Sequence, residues 1–120
     1  MKDTMIVFTS DHGDYHGDHW LGEKDLFHEP SIRIPLIIVE PEMPENLRGT
    51  SENRMTESVD IVPTLVETMG GSYSSNRMEG RSLVPLLFGD NPTWRDTVFA
   101  EIDYSAVSYT HLTLPTNREV

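Results

Sequence analysis

The amino-acid sequence predicts an α/β fold, and three segments of the chain support this prediction. Residues 4–9 and 34–39 contain short, unbroken apolar runs, which are typical of strands buried on both faces of a parallel sheet. Residues 60–69 instead carry apolar side chains at helical spacing, and this pattern indicates a helix. We therefore expect a partial α/β sheet in which the two strands are parallel neighbours.

The first predicted strand ends abruptly at Ser10-Asp11-His12-Gly13. In open α/β sheets, ligands bind just beyond the carboxyl ends of the strands, so Asp11 and His12 lie where such a fold places its chemistry. A carboxylate oxygen beside an imidazole nitrogen suits a divalent cation, and Gly13 allows a tight turn or the close approach of another backbone. The alternative is a polar turn that Asp11 caps, and the spacing alone favours that alternative.

Residues 10–30 are predicted to form a long polar loop, which carries four of the five histidines. Loops of this length in compact domains are usually functional or disordered. His12 and His16 are spaced i, i+4 and would meet in a zinc cluster on a helix. Gly13 and Gly17 oppose a helix here, so the sequence does not favour that cluster.

Residues 14–18 also resemble the start of a calcium-binding loop. The resemblance fails further along, because the sixth position is His19 instead of glycine and the twelfth is Asp25 instead of glutamate. We interpret Asp14, Asp18 and His19 as residues that shape the loop or face a substrate.

The second predicted strand, residues 34–39, has Pro35 near its start, where a missing backbone donor is tolerated. Arg33 stands directly before this strand, and we expect it to pair with an acidic residue near the site, Glu29. Residues 40–53 are polar and indicate a surface loop.

The best helical pattern spans residues 60–69. Asp60 can cap its N-terminus, Pro63 falls in the first turn, where proline costs little, and Gly70 with Gly71 ends it. The apolar stripe of this helix is expected to pack inward: Val62, Leu65, Val66 and Met69.

Three shorter elements complete the expected fold: a helical turn near residues 24–28, a helix over 83–88 and a third strand over 97–102. Ser82 would cap the short helix and Gly89 would end it. The two tryptophans are interpreted as packing residues: Trp20 and Trp94.

The 120-residue chain carries a formal net charge of −11, from 20 acidic and 9 basic residues. This length suits one small domain. The acidic balance argues against a nucleic-acid partner, whose binding requires a basic patch, and most of these charges are expected to form a solubilising surface. With no cysteine there is no disulfide framework. The sequence has no run of transmembrane length and no signal-peptide pattern, so we expect no membrane partner and leave the compartment open between cytoplasm and periplasm.

One ordered set of motifs resembles a known family. Ser10-Asp11-His12-Gly13, Gly17-Asp18-His19, Lys24 and the stretch Arg-Ile-Pro-Leu-Ile-Ile at residues 33–38 are similar to the second half of the catalytic domain of type I sulfatases, which are alkaline phosphatase-like proteins. The similarity is strongest to the phosphonate monoester hydrolase and arylsulfatase branch. It continues through residues 60–65, 80–83 and 98–101, and covers residues 1–106.

The resemblance implies a fold, a reaction and a set of site residues. The fold would be a fragment of a mixed, mostly parallel sheet flanked by helices. Asp11 and His12 would bind a divalent metal, which could be calcium, manganese or zinc. Lys24 would be the catalytic and substrate-binding donor to an ester oxygen, with His19 a second substrate contact. If the resemblance is set aside, the sequence favours the interpretation of Lys24 as a solvated lysine beside Glu23.

The substrate implied by the resemblance is a small-molecule sulfate or phosphonate ester, and an oligomer is compatible with the full-length protein. In this family, a cysteine or serine within a Cys/Ser-x-Pro-x-Arg motif becomes the formylglycine nucleophile, and the chain contains no such motif. We therefore expect half a site and an inactive isolated chain. A non-catalytic metal-binding module and a non-catalytic α/β domain are the alternatives.

The end of the chain differs from the rest. Residues 107–116 resemble the translation of a transposase sequencing-library adapter, so residues 107–120 are expected to lie outside the domain formed by residues 1–106. The alternative is a genuine C-terminal strand and loop.

Overall fold

A computed structural model describes residues 3–24 and 26–101 of the chain. The strands and helices within this part are, in order, β1 (Ile6–Thr9), α1 (Glu29–Ile32), β2 (Leu36–Val39), α2 (Ile61–Thr68) and α3 (Val84–Leu87). Single turns of 3-10 helix lie at Asp18–Trp20, Glu45–Leu47 and Ser58–Asp60. The helical turn predicted near residues 24–28 is replaced by α1, which begins at Glu29. The predicted third strand is absent from residues 97–101.

Strands β1 and β2 are neighbours, as predicted, but they pair antiparallel. The register runs from Ile6 opposite Val39 to Thr9 opposite Leu36. The predicted parallel pairing of residues 4–9 and 34–39 is therefore wrong. An unbroken apolar run indicates burial and not direction, and a parallel pair needs a crossover connection. Here the connecting segment folds back on itself, with a backbone hydrogen bond of 2.9 Å from Tyr15 to Glu23, and re-enters the sheet beside the end of β1.

One face of this sheet is uncovered by the described residues. The register places the cross-strand pairs Ile6–Val39 and Phe8–Ile37 on the same face, and all four side chains are exposed, with Ile37 at 57%. Burial of Ile6 and Ile37, which the sequence predicts, is therefore not observed in this part of the chain.

Helix α2 matches the predicted helix within one residue at each end, and Gly70 follows it at φ +75° as a left-handed stop. Its buried side is formed by Pro63 and Thr64. The predicted inward stripe is correct only in part, because Val62 and Met69 are exposed. Leu65 and Val66 are half-buried. Polar contacts add to this packing: the Thr64 hydroxyl donates to the Asp60 carbonyl at 2.6 Å and accepts from the Leu83 N–H at 2.8 Å.

Asp60 does not cap α2 with its side chain. It is fully buried, and its carboxylate accepts the backbone N–H groups of Glu57 and Arg81 at 2.8 and 2.7 Å. The bond from the Glu57 N–H belongs to a capping box that Glu57 and Asp60 form around the preceding 3-10 turn. Asp60 therefore organises the entry to α2 from the turn before it.

Helix α3 is shorter than the predicted 83–88, and its N-cap is Leu83, without a side-chain cap bond, instead of the predicted Ser82. The Ser82 hydroxyl accepts from the Val84 N–H at 3.2 Å, and Gly89 follows at φ +83°. Trp94 is partly buried and donates to the Met55 carbonyl at 2.8 Å. Trp20 is 99% exposed, so its assignment as a packing residue is wrong in the described structure.

The predicted strand over residues 97–102 fails where it is described, because the Phe99 N–H donates to the Glu57 side chain at 2.9 Å instead of to a neighbouring strand. Residues 102–120, with the tail segment 107–120, lie outside the described residues. Within the described part, no helix is both long enough and apolar enough to cross a membrane.

Candidate metal and substrate site

The sequence-predicted residues Asp11, His12 and Lys24 line one cavity of about 880 Å³. The cavity lies beyond the end of β1, and α1 and the segment 98–101 form further parts of its wall. Much of the remaining lining is apolar and includes Phe27, Ile32, Ile34, Met55, Ile61 and Phe99. The structure therefore brings together both candidate metal ligands and the candidate catalytic lysine.

One potential metal-ligating atom of Asp11 and one of His12 lie close together. His12 Nε2 lies 3.5 Å from Asp11 Oδ2. His12 Nδ1 lies 2.7 Å from the Gly13 carbonyl oxygen, and because a carbonyl only accepts, Nδ1 carries the proton in that bond. In the neutral ring this leaves the Nε2 lone pair free, and such a bond on the other ring nitrogen is typical of a metal-ligating histidine.

The donor set fits a divalent cation. Two ligands bound to one ion at their usual lengths lie about 3.0–3.5 Å apart in tetrahedral or right-angled geometry, and the observed separation is 3.5 Å. Within the described residues no group of three or more histidine, cysteine or acidic side chains comes together to hold a metal ion, so this part of the chain presents Asp11 and His12 as a pair of candidate ligands.

The backbone N–H of His12 donates to Asp11 Oδ1 at 3.0 Å. This bond is the main reason that the pKa of Asp11 is lowered from its ordinary value of 3.8, and the positive charges of His12, in its protonated form, and of Lys24 act in the same direction. Asp11 is exposed, so solvent weakens these effects, but each of them favours the ionised carboxylate that a metal requires.

Gly13 brings the Asp11–His12 turn against α1. Its N–H donates to the Ser31 carbonyl at 2.7 Å, and a Cβ on Gly13 would lie 1.8 Å from the Pro30 carbonyl oxygen. The close backbone approach predicted for this glycine is confirmed. Ser31 also donates its hydroxyl to the Lys24 carbonyl at 2.7 Å, so α1 contacts both the turn and the lysine.

His19 lies outside the set of residues that line the cavity. Its ring stacks on His28 with centroids 4.3 Å apart, and Tyr15 meets both rings edge-on. The Tyr15 side chain is buried, and its hydroxyl lies 3.0 Å from His28 Nδ1. This aromatic cluster holds the two arms of the loop together.

Asp14 and Asp18 shape the backbone of the loop, which is one of the two roles predicted for them. Asp14 accepts from the His16 N–H at 2.7 Å, and Asp18 accepts from the His19 N–H at 3.2 Å. Arg33 pairs with Glu29 at 3.1 Å, which confirms that prediction, although both side chains are exposed.

The structure adds two features that the sequence reasoning did not identify. One is the pair of hydrogen bonds that Ser31 forms with Lys24 and Gly13. A single serine before a predicted strand gives no indication of these partners. The other is Arg95, which donates to both carboxylate oxygens of Asp60, at 2.9 and 2.6 Å, and to Glu57. The Glu57-x-x-Asp60 spacing could have indicated the capping box at the helix entry, but it carries no information on Arg95, which lies 35 residues beyond Asp60.

Known proteins show similarity over most of the chain. The family model described as N-sulphoglucosamine sulphohydrolase, C-terminal, matches residues 17–117. The multifunctional alkaline phosphatase superfamily protein PehA of Trinickia caryophylli is 40% identical over 108 residues, which cover 89% of this chain and 21% of that protein.

Solved structures agree with these sequence matches. The phosphonate monoester hydrolase of Agrobacterium radiobacter aligns with a TM-score of 0.70 at 39% identity, covering 79% of this chain and 19% of that one. A protein solved in complex with its substrate D-glucosamine-2-N,6-O-disulfate aligns with a TM-score of 0.78 at 30% identity, covering 88% and 22%. The chain spans about a fifth of the length of these relatives.

Proposed function

The chain belongs to the sulfatase family, and from this membership we propose that it supplies part of the metal site and a substrate-binding lysine of a sulfuric ester hydrolase. The observation that carries the proposal is the convergence of Asp11, His12 and Lys24 on one cavity. We also propose that β1 and β2 are part of a larger mixed, mostly parallel sheet flanked by helices in the whole protein.

In the proposed site, Asp11 Oδ2 and His12 Nε2 hold the divalent metal, and the Gly13 carbonyl fixes the ring of His12. A bound divalent metal supplies Lewis-acid polarisation of the ester oxygens. The Lys24 ammonium donates to a non-bridging oxygen of the ester, where negative charge develops during the reaction. The nucleophile is proposed to come from a part of the protein beyond these residues.

We propose His19 as a further substrate contact. The support is its exposed position on the loop that leads to Lys24. Its ring is oriented by stacking on His28 and by the edge of Tyr15, so it would face a substrate from a defined direction.

Phosphonate or phosphate ester hydrolysis is the second candidate, favoured by the 39% identity to a phosphonate monoester hydrolase. Sulfate and phosphonate esters both present a tetrahedral centre with charged non-bridging oxygens. The same ligands and the same lysine therefore serve either substrate, and direct comparison of the two rates decides between them.

The test uses the full-length protein that carries this segment. Asp11→Ala and His12→Ala are each expected to lower bound metal and hydrolysis together, because each removes one ligand and disturbs the charge and geometry of the site. Metal content is measured by mass spectrometry, and turnover is measured on an aryl sulfate and on an aryl phosphonate monoester.

The loop offers a matched control in Asp14 and His16, an exposed pair with His16 Nδ1 3.4 Å from Asp14 Oδ1. This pair has the same chemistry but does not line the cavity. Asp14→Ala and His16→Ala are expected to keep their metal. Normal metal content and turnover in both Asp11→Ala and His12→Ala would refute the proposal.

A further inference from the structure

Ser31 connects the two parts of the proposed site. Its side chain is buried, with the residue 4% exposed. Its hydroxyl donates to the Lys24 carbonyl at 2.7 Å, and its own carbonyl accepts from the Gly13 N–H at 2.7 Å. A single residue thus bonds both to the turn that carries the candidate metal ligands and to the backbone of the candidate catalytic lysine.

The turn side of this connection has little freedom. A Cβ on Gly13 would meet the Pro30 carbonyl oxygen at 1.8 Å and the Ser31 carbonyl oxygen at 3.2 Å. The backbones of the turn and of α1 are therefore in direct contact, and α1 cannot shift towards the turn without a clash.

The N-terminal end of α1 is anchored as well. The His28 N–H, at the start of the helix, donates to the Tyr15 hydroxyl at 3.3 Å, and the Tyr15 N–H donates to the Glu23 carbonyl at 2.9 Å. Tyr15 is 2% exposed. The helix thus has a fixed position from which Ser31 reaches Lys24.

Lys24 itself is exposed and follows Glu23, whose φ of +59° is uncommon for a residue with a side chain. The backbone at this point needs an external contact to hold one conformation, because such a φ costs of order 1–3 kcal/mol. The Ser31 hydroxyl provides such a contact at the adjacent carbonyl.

We propose that Ser31 is a positioning residue that sets the place of Lys24 relative to Asp11 and His12. The inference rests on the proposed function, because it requires Lys24 to act on the substrate. Misplacement of a reacting group by about 1 Å can cost roughly a hundredfold in rate. Ser31→Ala removes only the hydroxyl bond, since the bond from Gly13 goes to the backbone carbonyl.

The test is a double-mutant cycle in the full-length protein, with Ser31→Ala, Lys24→Ala and the double variant. Ser31→Ala is expected to lower kcat roughly tenfold or more, with metal content unchanged. In the Lys24→Ala background, the same substitution is expected to have almost no further effect, because the group that it positions is gone. A merely structural serine would lower the rate by a similar factor in both backgrounds.

Ser82→Ala is the matched control, because Ser82 is also buried and its hydroxyl bonds a backbone group, the Val84 N–H. The effect of Ser82→Ala on kcat is expected to be the same with Lys24 and in the Lys24→Ala background. If Ser31→Ala does not fold, Ser31→Cys enters the cycle, since it keeps the size of the side chain and replaces the hydroxyl by a much weaker donor.

The outcomes separate the two proposals. Unchanged turnover in Ser31→Ala, or equal losses in both backgrounds, overturns the role of Ser31 and leaves that of Lys24 intact. Unchanged turnover in Lys24→Ala overturns the role of the lysine in the proposed function, and the role of Ser31 falls with it.

Discussion

Gly13 has no space for a side chain, because a Cβ there would lie 1.8 Å from the Pro30 carbonyl oxygen. Gly13→Ala must push α1 away from the Asp11–His12 turn. We expect a loss of stability of at least about 1–3 kcal/mol, which is typical of overpacking, together with weaker metal binding. Thermal unfolding and metal titration of the full-length protein measure the two effects.

Gly22→Ala is the control for this substitution, because nothing lies within 4 Å of the position of its Cβ and its φ is not in the left-handed region. It should leave both quantities nearly unchanged. Equal behaviour of the two variants would show that the contact between the turn and α1 does not hold the site.

Asp11 allows a prediction about pH. The hydrogen bond from the His12 N–H, with smaller help from the charges of His12 and Lys24, lowers the pKa of Asp11 below 3.8. Its stabilising contribution is therefore fully present above the unfolded pKa and is lost as the pH falls through the lower folded pKa. Carbon-13 NMR of the Asp11 carboxyl group, recorded without metal, should give a midpoint below 3.8.

The Lys24→Met variant should raise this midpoint only slightly, because the lysine charge is the smallest of the causes that lower the pKa. A midpoint at or above the ordinary value in the unsubstituted protein would contradict the observed geometry of the turn.

At the scale of single residues, the sequence predicted those features that depend on the type of the residue itself. The close backbone approach at Gly13 was predicted correctly, because a glycine directly after a predicted strand suits a tight turn. The same pattern pointed to Asp11 and His12 as metal ligands, which stays a prediction. Ser31 was not identified, because its role comes from two partners that lie 7 and 18 residues away in sequence and meet it only in the folded chain. The serine itself carries no such information.

Among the secondary-structure elements, the entry to α2 is anchored by a buried ion pair. Asp60 is 0% exposed, and the Arg95 guanidinium forms two bonds to its carboxylate while also contacting Glu57. Glu57 in turn accepts the Phe99 N–H, so this network attaches the segment 95–99 to the helix entry and thereby to one wall of the cavity.

Arg95→Met should destabilise the protein strongly, because it leaves Asp60 buried without its counter-charge. Breaking a buried pair in this way costs about 3–5 kcal/mol. Arg33→Met removes the exposed pair with Glu29 and is the matched control, for which we expect less than about 1 kcal/mol. Calorimetric melting temperatures compare the two, and an equal shift would contradict the structural role of the network.

The elements also show where periodicity stops being informative. The spacing of apolar residues predicted the bounds of α2 to within one residue, yet its buried side is formed by Pro63 and Thr64. The reason is that Thr64 exchanges hydrogen bonds with Asp60 and Leu83, and a hydrophobic pattern cannot represent such contacts. Likewise, the apolar runs predicted that β1 and β2 are neighbours but contained no information on their direction.

On the scale of the whole molecule, the described structure leaves apolar surface uncovered. Ile6, Phe8, Ile37 and Val39 share one exposed face of the sheet. Because exposed apolar sheets invite association, we expect the 120-residue chain expressed alone to aggregate. We also expect it to hydrolyse neither ester class, because it contains no Cys/Ser-x-Pro-x-Arg motif.

Phe8→Lys combined with Ile37→Lys should increase the monomeric fraction in size-exclusion chromatography with light scattering. The matched control is Val7→Lys combined with Ile38→Lys on the opposite, more buried face, which should decrease solubility further. A cooperatively folded, soluble monomer of the unsubstituted chain, with metal-dependent turnover above that of Lys24→Ala, would contradict this prediction.

Pulsed EPR of the full-length protein loaded with Mn²⁺ tests the metal assignment most directly, because a histidine nitrogen bound to manganese gives a resolved nitrogen coupling. His12→Gln should abolish one such coupling. His19→Gln and His28→Gln should leave it unchanged, since neither ring lines the cavity with Asp11. A full set of nitrogen couplings in His12→Gln, or the loss of one in His28→Gln, would contradict the assignment of Asp11 and His12 as the metal ligands of this chain.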